Sequence, residues 1–91
     1  MSVYVDAVCN SFRRMIMCHM IADTPEELHD MAQRIGMKRE WYQPTSFPHY
    51  DVAKGRRKEA VKLGAIECNR REFMEHLKRI RHGGKFANTD I

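Results

Sequence analysis

The segment from Thr24 to Gly36 constrains the fold most, because it carries a complete helix signature. Thr24 can cap the helix N-terminus, Pro25 suits the first helical position, and Glu27 completes a capping box. Apolar residues then recur at i, i+3, i+4 and i+7: Leu28, Met31, Ala32 and Ile35. Gly36 supplies the stop. The spacing predicts an amphipathic helix over residues 25–35.

An apolar run stands directly before this helix. Met15 to Ala22 is broken only by His19, and a short run of this kind is typical of a buried central strand. Residues 3–5 alternate and favour a first strand that ends at Asp6, with a loop over residues 7–14. A strand that leads into a helix predicts an α/β domain.

The second half of the chain predicts two further helices and one strand. Asp51 can cap a helix that runs to Leu63 and is closed by Gly64, and residues 65–68 have strand character. Asn69 and Glu72 form another capping pair. It opens a third helix, to Arg81, with three apolar residues turned inward: Phe73, Leu77 and Ile80. Residues 37–43 are left open as a short strand or an extended loop, and residues 44–50 are predicted as a loop.

This order of elements in a chain of 91 residues predicts one α/β domain. We expect a small three- to four-stranded, partly parallel sheet covered by about three helices over residues 1–84. A loose tail follows over residues 85–91. No apolar run approaches the roughly 18–20 residues that span a bilayer, so no membrane role is predicted. Three cysteines without a CxxC pair favour buried thiols and a cytoplasmic protein.

Polar candidates lie close to the predicted strand ends and helix starts, where sites in such folds are common. They are Asp6, His19, Asp23, His29, His49, Tyr50 and Asp51. His19 interrupts an apolar strand, and an imidazole buried there without partners costs about 1–3 kcal/mol. A site or a partner aspartate would explain it, and a structural role is an equal alternative. Helix capping is the structural alternative for Asp23 and Asp51, and a satisfied edge position is the alternative for His29.

His49 and Asp51 stand two residues apart in a proline-bounded loop. Together with Asp6 and His19 they can ligate a divalent metal. Catalytic roles as an acid–base pair are the alternative, with His19 as a further participant. The spacing alone does not decide between these two kinds of site.

The net charge of +4 and the sequence pI of about 9.2 favour an anionic partner. On a helical wheel Arg56 falls on the inward side of the second helix, next to Arg57. An arginine close to a helix N-terminus is a reasonable seat for phosphate. Trp41 and Tyr50 interleave with the basic residues in a way that suits base stacking. A solvated charged face and ordinary core packing are the alternatives.

Several short segments occur in an ordered set that resembles the domain of unknown function family 4031, short proteins of bacteria and phages. They are Val3–Asp6, Cys18–Thr24, Glu27–His29, Trp41–Gln43, Pro48–Asp51 and Leu63–Ala65. The resemblance covers residues 3 to 68. It implies that the seven polar candidates belong to one shared site, and it implies no activity.

The first functional hypothesis is an accessory protein that binds a phosphorylated ligand, either a nucleotide or nucleic acid. Arg56 and Arg57 would hold phosphate, and the His/Asp pocket with Trp41 and Tyr50 would contact the remainder. The alternative is a metal-dependent phosphoester hydrolase that uses Asp6, His19, His49 and Asp51. A second alternative is an adaptor for an acidic host protein. The sequence does not decide whether the protein is an enzyme or a ligand-binding protein, or whether it forms a homodimer.

Overall fold

The computed structural model describes residues 2–7, 10–12, 15–44 and 47–83, with backbone alone at 10–12, 15 and 81–83. The strands are β1 (Val3–Asp6), β2 (Asn10–Phe12), β3 (Met15–Ala22), β4 (Tyr50–Ala53) and β5 (Ile66–Cys68). The helices are α1 (Pro25–Arg34), α2 (Lys54–Lys62) and α3 (Arg70–Gly83), with a 3-10 turn at Arg39–Trp41. The prediction of a small α/β fold is confirmed.

All five strands belong to one mixed sheet. Met20 pairs with Val5 on one side and with Tyr50 on the other, and Met17 likewise pairs with Asn10 and Ala53. β1 and β2 therefore follow one another along the same edge of β3, and β4 occupies the opposite edge. β5 lies parallel to the outer side of β1. The sheet thus has four positions across, with one parallel pair, as the sequence predicts.

Helices cover both faces of the sheet. On one face α1 and α2 pack over a core that includes Val5, Met20, Leu28 and Val52. On the other face α3 covers a second core. The strands β1, β3 and β5 contribute Tyr4, Ile21 and Cys68, and α3 contributes Phe73, Leu77 and Ile80. Successive residues of β1 (Val3, Tyr4, Val5) and of β3 (Met20, Ile21, Ala22) supply these two cores alternately.

The predicted signals of α1 and α3 are confirmed in detail. The Thr24 hydroxyl accepts a hydrogen bond from the Glu27 backbone N–H and donates one to the Glu27 carboxylate. Asn69 and Glu72 form the reciprocal pair at the start of α3. α1 ends at Arg34, and Gly36 follows two residues later with a φ of 80°, in the left-handed region that favours glycine.

The structure corrects two predictions about secondary-structure elements and decides the segment that the sequence left open. Asp51 does not cap α2, because it lies inside β4, and α2 begins only at Lys54 with no side-chain cap. The predicted loop over residues 7–14 contains β2. The undecided segment 37–43 contains the 3-10 turn and an isolated bridge between Gln43 and His49.

The predictions about the cysteines, the domain end and membrane spans have different outcomes. Cys18 takes part in a disulfide bond, so the prediction of a free thiol is wrong there, whereas Cys68 is free and buried as predicted. The predicted domain end at residue 84 and the tail over 85–91 lie outside the described residues. Among the described helices, none combines the length and apolarity that crossing a membrane requires.

Candidate functional site

Two neighbouring strands bring three of the predicted site residues together. His19 on β3 lies directly opposite Asp51 on β4 in the antiparallel register. His49 precedes β4 and lies two residues from Asp51, so both side chains leave the strand on the same face. This is the face that α3 covers. We refer to His19, His49 and Asp51 as the His/Asp cluster.

The His/Asp cluster converges on one carboxylate oxygen. Asp51 Oδ1 lies 3.4 Å from His19 Nε2 and 3.3 Å from His49 Nε2. All three atoms lie within 4.8 Å of one another. Oδ1 is buried, yet it makes no hydrogen bond within the part of the chain that the structure describes. A buried carboxylate oxygen without a donor is unfavourable unless a further positive group sits beside it.

A backbone carbonyl fixes the orientation and the tautomer of His49. His49 Nδ1 lies 2.8 Å from the Phe47 carbonyl oxygen. A carbonyl can only accept, so Nδ1 carries the hydrogen and donates it. In the neutral imidazole, Nε2 then presents a lone pair, and this lone pair faces the lone pairs of Asp51 Oδ1. Two acceptors so close require a proton or a cation between them.

Gln43 fixes the other half of the Asp51 carboxylate. The Gln43 side-chain amide donates a 2.7 Å hydrogen bond to Asp51 Oδ2. The isolated bridge between Gln43 and His49 places this amide beside the cluster. Because Oδ2 is engaged, Oδ1 is the oxygen that remains directed at the two imidazoles. Partners of this kind orient the ligands of protein metal sites.

Burial keeps His19 in the form that can ligate a metal. Burial lowers the pKa of His19, and the neighbouring His49 lowers it further, while the Asp51 and Asp6 carboxylates oppose both effects. A neutral imidazole is therefore favoured near neutral pH. Asp6 is buried, with 3% of its surface exposed. The register of β1 with β3 ends at Val5 and Met20, so Asp6 and His19 are the next residues along the two strands.

Aromatic rings enclose the imidazoles on the side of α3. The Phe47 ring stacks on His49 with centroids 4.3 Å apart and meets His19 edge-on at 5.5 Å. Phe73 from α3 lies parallel to His19 at 6.4 Å. The rings line one side of the cluster, while 35% of the His19 side chain and 33% of the Asp51 side chain stay exposed. The cluster is therefore open to solvent on the side of His19.

The distances in the cluster fit the edges of a tetrahedral metal site. Four ligands at about 2.0–2.1 Å from a zinc ion lie about 3.3–3.4 Å from one another. The two measured nitrogen–oxygen separations, 3.4 and 3.3 Å, have this length. Two imidazoles and one carboxylate are also a frequent donor set for Zn²⁺ and other divalent transition metals. The cluster can therefore hold such an ion and leave a coordination position open.

Two of the predicted site residues lie on the opposite face of the sheet. Tyr50 stands between His49 and Asp51 in the chain, and the alternation of β4 turns its ring toward α1. Its hydroxyl oxygen is 2.8 Å from Nδ1 of His29. Burial raises the pKa of Tyr50 and lowers the pKa of His29, so both groups are neutral near pH 7. They line a separate pocket of about 560 Å³.

Asp23 belongs to a third group of contacts, at the end of the sheet where β1 begins. Its carboxylate accepts hydrogen bonds from the Ser2 backbone N–H, the Tyr4 hydroxyl and the Arg79 guanidinium. Burial raises the pKa of Asp23, but these hydrogen bonds outweigh it and lower the pKa overall. The arrangement ties α3 to the sheet. The seven polar candidates thus lie in three places on the described fold.

The predicted phosphate ligands are engaged elsewhere. Arg56 is half-buried and donates to the Ile35 carbonyl at the end of α1. Arg57 donates to the Asp6 carbonyl and to the Glu67 carboxylate. Trp41 is 43% exposed, with the Lys38 ammonium 5.7 Å from its ring centroid.

The residues that support the cluster were not among the candidates predicted from the sequence. Gln43, Phe47 and Phe73 position or enclose it, but none has a side chain that draws attention by its chemistry alone. One signal was present for Gln43, which lies within one of the short segments behind the family resemblance. Its contact with Asp51 depends on the bridge to His49, and that bridge has no sequence signature.

No curated protein and no solved structure matches this chain. One family model does, the one described as protein of unknown function (DUF4031), and its match runs over residues 3–80. That range includes every member of the His/Asp cluster and almost all of the described fold. The chain therefore belongs to the DUF4031 family of proteins of unknown function.

Proposed function

We propose that this protein is a metal-dependent phosphoester hydrolase whose divalent ion is held by His19, His49 and Asp51. The single observation that carries the proposal is the contact between Asp51 Oδ1 and two imidazole nitrogens. The oxygen is buried and without a hydrogen-bond donor in the described structure. A cation at this point would satisfy all three groups at once.

A proton on His49 is the competing explanation. It would make His49 and Asp51 an ion pair, because an imidazolium can donate from Nε2 as well as from Nδ1. That alternative satisfies one imidazole but gives His19 no comparable role. It also gives no reason why both nitrogen–oxygen distances equal the edge of a tetrahedral metal site. The metal explanation accounts for both histidines.

The chemistry of the site follows from its incomplete ligand set. With three protein ligands, a divalent ion retains room for water or substrate, as catalytic zinc sites do. Such an ion polarises a phosphoryl oxygen and lowers the pKa of a coordinated water. Arg70, at the start of α3, lies near enough for its charge to lower the pKa of His19. This positive charge and the net charge of +4 suit an anionic ester.

The geometry favours this reading over the phosphate seat expected on Arg56 and Arg57. Both guanidinium groups already donate to groups within the protein. A ligand that recruited them would have to break the contact that ends α1 or the contact that joins α2 to β1. The His/Asp cluster needs no such rearrangement to accept a ligand.

Metal binding tests the proposal directly. Protein freed of metal with EDTA is titrated with Co²⁺ and Zn²⁺ and followed by visible absorption and calorimetry. We expect one equivalent to bind, with the intense absorption of tetrahedral Co²⁺. The variants His49→Ala and Asp51→Asn should lose this binding, whereas Asp30→Asn, an exposed acid on α1, should keep it.

Activity is then measured on bis(p-nitrophenyl) phosphate, a general phosphodiester probe, with the metal-loaded protein. Hydrolysis that disappears with EDTA and in the His49→Ala variant supports the proposal. Wild-type protein that binds neither ion would contradict it and leave the His49–Asp51 ion pair as the explanation. Metal binding without hydrolysis of any phosphoester would reduce the site to a structural or ligand-binding centre.

A further inference from the structure

One side of α2 carries lysines at four-residue intervals. Lys54, Lys58 and Lys62 are all exposed, and residues four apart lie on the same side of a helix. We call these three residues the lysine stripe. It runs for eight residues, or about 12 Å along the helix axis. This spacing suits several phosphate groups along the helix better than a single one.

The lysine stripe lines a pocket of about 590 Å³. The other described residues of its wall are Ala7, Arg57, Val61 and Glu67. Glu67 is the acidic member, and its carboxylate is already paired with Arg57 at 3.0 Å. None of the ion pairs within the described residues involves a stripe lysine. Within the described residues, the stripe therefore carries positive charge that no ion pair neutralises.

The lining shows what kind of anion fits. No aromatic ring and no side-chain amide occurs among the described residues of the pocket, so it offers neither stacking nor base-edge recognition. A mononucleotide would gain little there beyond its phosphates. A polymer with phosphates at regular intervals gains one contact for each lysine, without regard to base sequence.

The stripe is also close to the His/Asp cluster. Lys54 follows Asp51 by three residues, because α2 begins where β4 ends. The extended chain limits the separation of these two Cα atoms to about 10 Å. From the pocket wall, Arg57 reaches the carbonyl of Asp6, the residue whose carboxylate acts on His19. The stripe thus begins close to the strand that carries Asp51, although α2 and the His/Asp cluster lie on opposite faces of the sheet. A strand bound along α2 would reach the proposed metal by passing around the end of the sheet.

We infer that the lysine stripe binds the phosphodiester backbone of a single nucleic-acid strand, which is the substrate presented to the metal centre. The substrate role rests on the proposed hydrolase function. The binding itself does not, because it needs only the charges of α2. Recognition is electrostatic and independent of sequence.

The test measures binding apart from catalysis. Fluorescence anisotropy of short labelled single-stranded DNA and RNA is recorded with the full chain in EDTA across a range of salt concentrations. Three phosphate contacts on a single strand predict that log K falls with log [salt] at a slope of about −2. The variant K54A/K58A/K62A should lose most of this slope and bind much more weakly.

The control variant K38A/R71A/K78A removes the same charge elsewhere, and both variants lower the net charge from +4 to +1. It should bind the strand nearly as wild type does. Circular dichroism checks the fold of each protein. Lys58→Glu, a single exposed change, provides a second weakened variant if the triple variant is unfolded.

Four outcomes would overturn the inference. Equal loss in the stripe and control variants would reduce the effect to net charge. Competition by ATP as strong as by an unlabelled oligonucleotide would indicate a mononucleotide site, and competition by polyglutamate would indicate an acidic protein partner. The fourth is a protein that binds metal but no strand, which would contradict this inference and leave the hydrolase proposal in place. Because EDTA is present throughout, strand binding by a protein that binds no metal would contradict the hydrolase and the substrate role but not the binding by the stripe.

Discussion

The orientation of Asp51 depends on one amide. Gln43 donates to Oδ2, and this contact leaves Oδ1 directed at His19 and His49. Rotation of the carboxylate about its last bond would otherwise exchange the two oxygens freely. The supporting amide therefore decides whether the cluster is preorganised before any ligand arrives.

Replacing Gln43 tests that role. Without its amide the carboxylate must be ordered when the metal binds, and loss of such a supporting contact weakens metal affinity by about 10–100-fold. We expect Gln43→Ala to weaken Zn²⁺ binding by this factor in calorimetry while the stoichiometry stays the same. Gln33→Ala, at an exposed position on α1, is the matched control. Equal affinity in both variants would show that Gln43 does not orient Asp51.

Asp23 provides a prediction for stability. Its lowered pKa means that its carboxylate stabilises the fold above the ordinary pKa of 3.8, and that this stability is lost as the pH falls through the lower folded value. Asp23→Asn should cost about 1–2 kcal/mol at pH 7, since half-exposed Arg79 is screened by solvent. The measurement is urea denaturation at pH 7 and again below pH 3.8.

The acid series carries the decisive comparison. Below its folded pKa the wild-type carboxyl is protonated as well, so the difference between the two proteins should shrink. Asp30→Asn removes an exposed ion pair on α1 and should change stability by less than about 0.5 kcal/mol. A gap for Asp23→Asn that stays constant with pH would mean that the charge of Asp23 is not what ties α3 to the sheet.

At this scale the sequence predicted the three residues of the cluster but grouped others with them that lie elsewhere. His19, His49 and Asp51 were expected together, and the structure places them together. His29 and Tyr50 were expected with them and lie on the other face. The reason is the strand formed by residues 50–53, whose alternation separates Tyr50 from its neighbours in the chain.

Among the elements, β4 shows how a short strand escapes prediction. Its four residues include Asp51, and an aspartate just ahead of a helix favours an N-cap interpretation. The buried pattern of the strand, with Tyr50 and Val52 inside, was visible in the sequence as an alternation. Pairing with β3 decided the outcome, and pairing over that distance leaves no local signal. α1 and α3, whose caps and periodicity are local, were predicted to within two residues, whereas the predicted cap of α2 was wrong.

Gly36, after α1, and Gly55, in α2, give opposite predictions for stability. At Gly55, in the first turn of α2, an added Cβ meets nothing within 4 Å. At Gly36 the φ of +80° is strained for other residues, and a Cβ would lie 2.9 Å from Arg56 Nη1. Gly55→Ala should stabilise the protein by about 0.5 kcal/mol, and Gly36→Ala should destabilise it by about 1–2 kcal/mol.

Thermal and urea denaturation measure both glycine variants, and each serves as the control for the other. Two shifts of the same sign would contradict the assignment of α2 and of the turn after α1. A neutral result at Gly36 would mean that Arg56 can leave the Ile35 carbonyl at no cost.

Over the whole molecule, a sheet covered on both faces explains why polar groups can be buried here. The α3 layer shields the His/Asp cluster, while the layer of α1 and α2 shields His29 and Tyr50. Both environments lower histidine pKa values chiefly by burial, at His19 and at His29. The two faces are thus expected to respond to acid in the same direction.

The free energy of unfolding should therefore fall as the pH drops below about 6.5. In that range the unfolded chain takes up protons on His19 and His29 that the folded protein excludes. The loss should level off once the pH is below the folded pKa values, and above 6.5 these groups contribute no slope. Urea titrations in EDTA over this pH range measure the effect, and His29→Gln should reduce the slope. A stability that is independent of pH here would show that neither imidazole is effectively buried.

Neighbouring residues of β4 face opposite layers. The number of residues between Phe47 and Tyr50 should therefore affect the orientation of the β4 side chains more than the identity of those residues does. Inserting or deleting one residue there would turn the Tyr50 ring toward α3 and send Asp51 into the packing under α1. Two residues would restore the phase. Length changes of two residues in this loop should therefore be tolerated. A change of one residue should disrupt both the proposed metal site and the packing under α1.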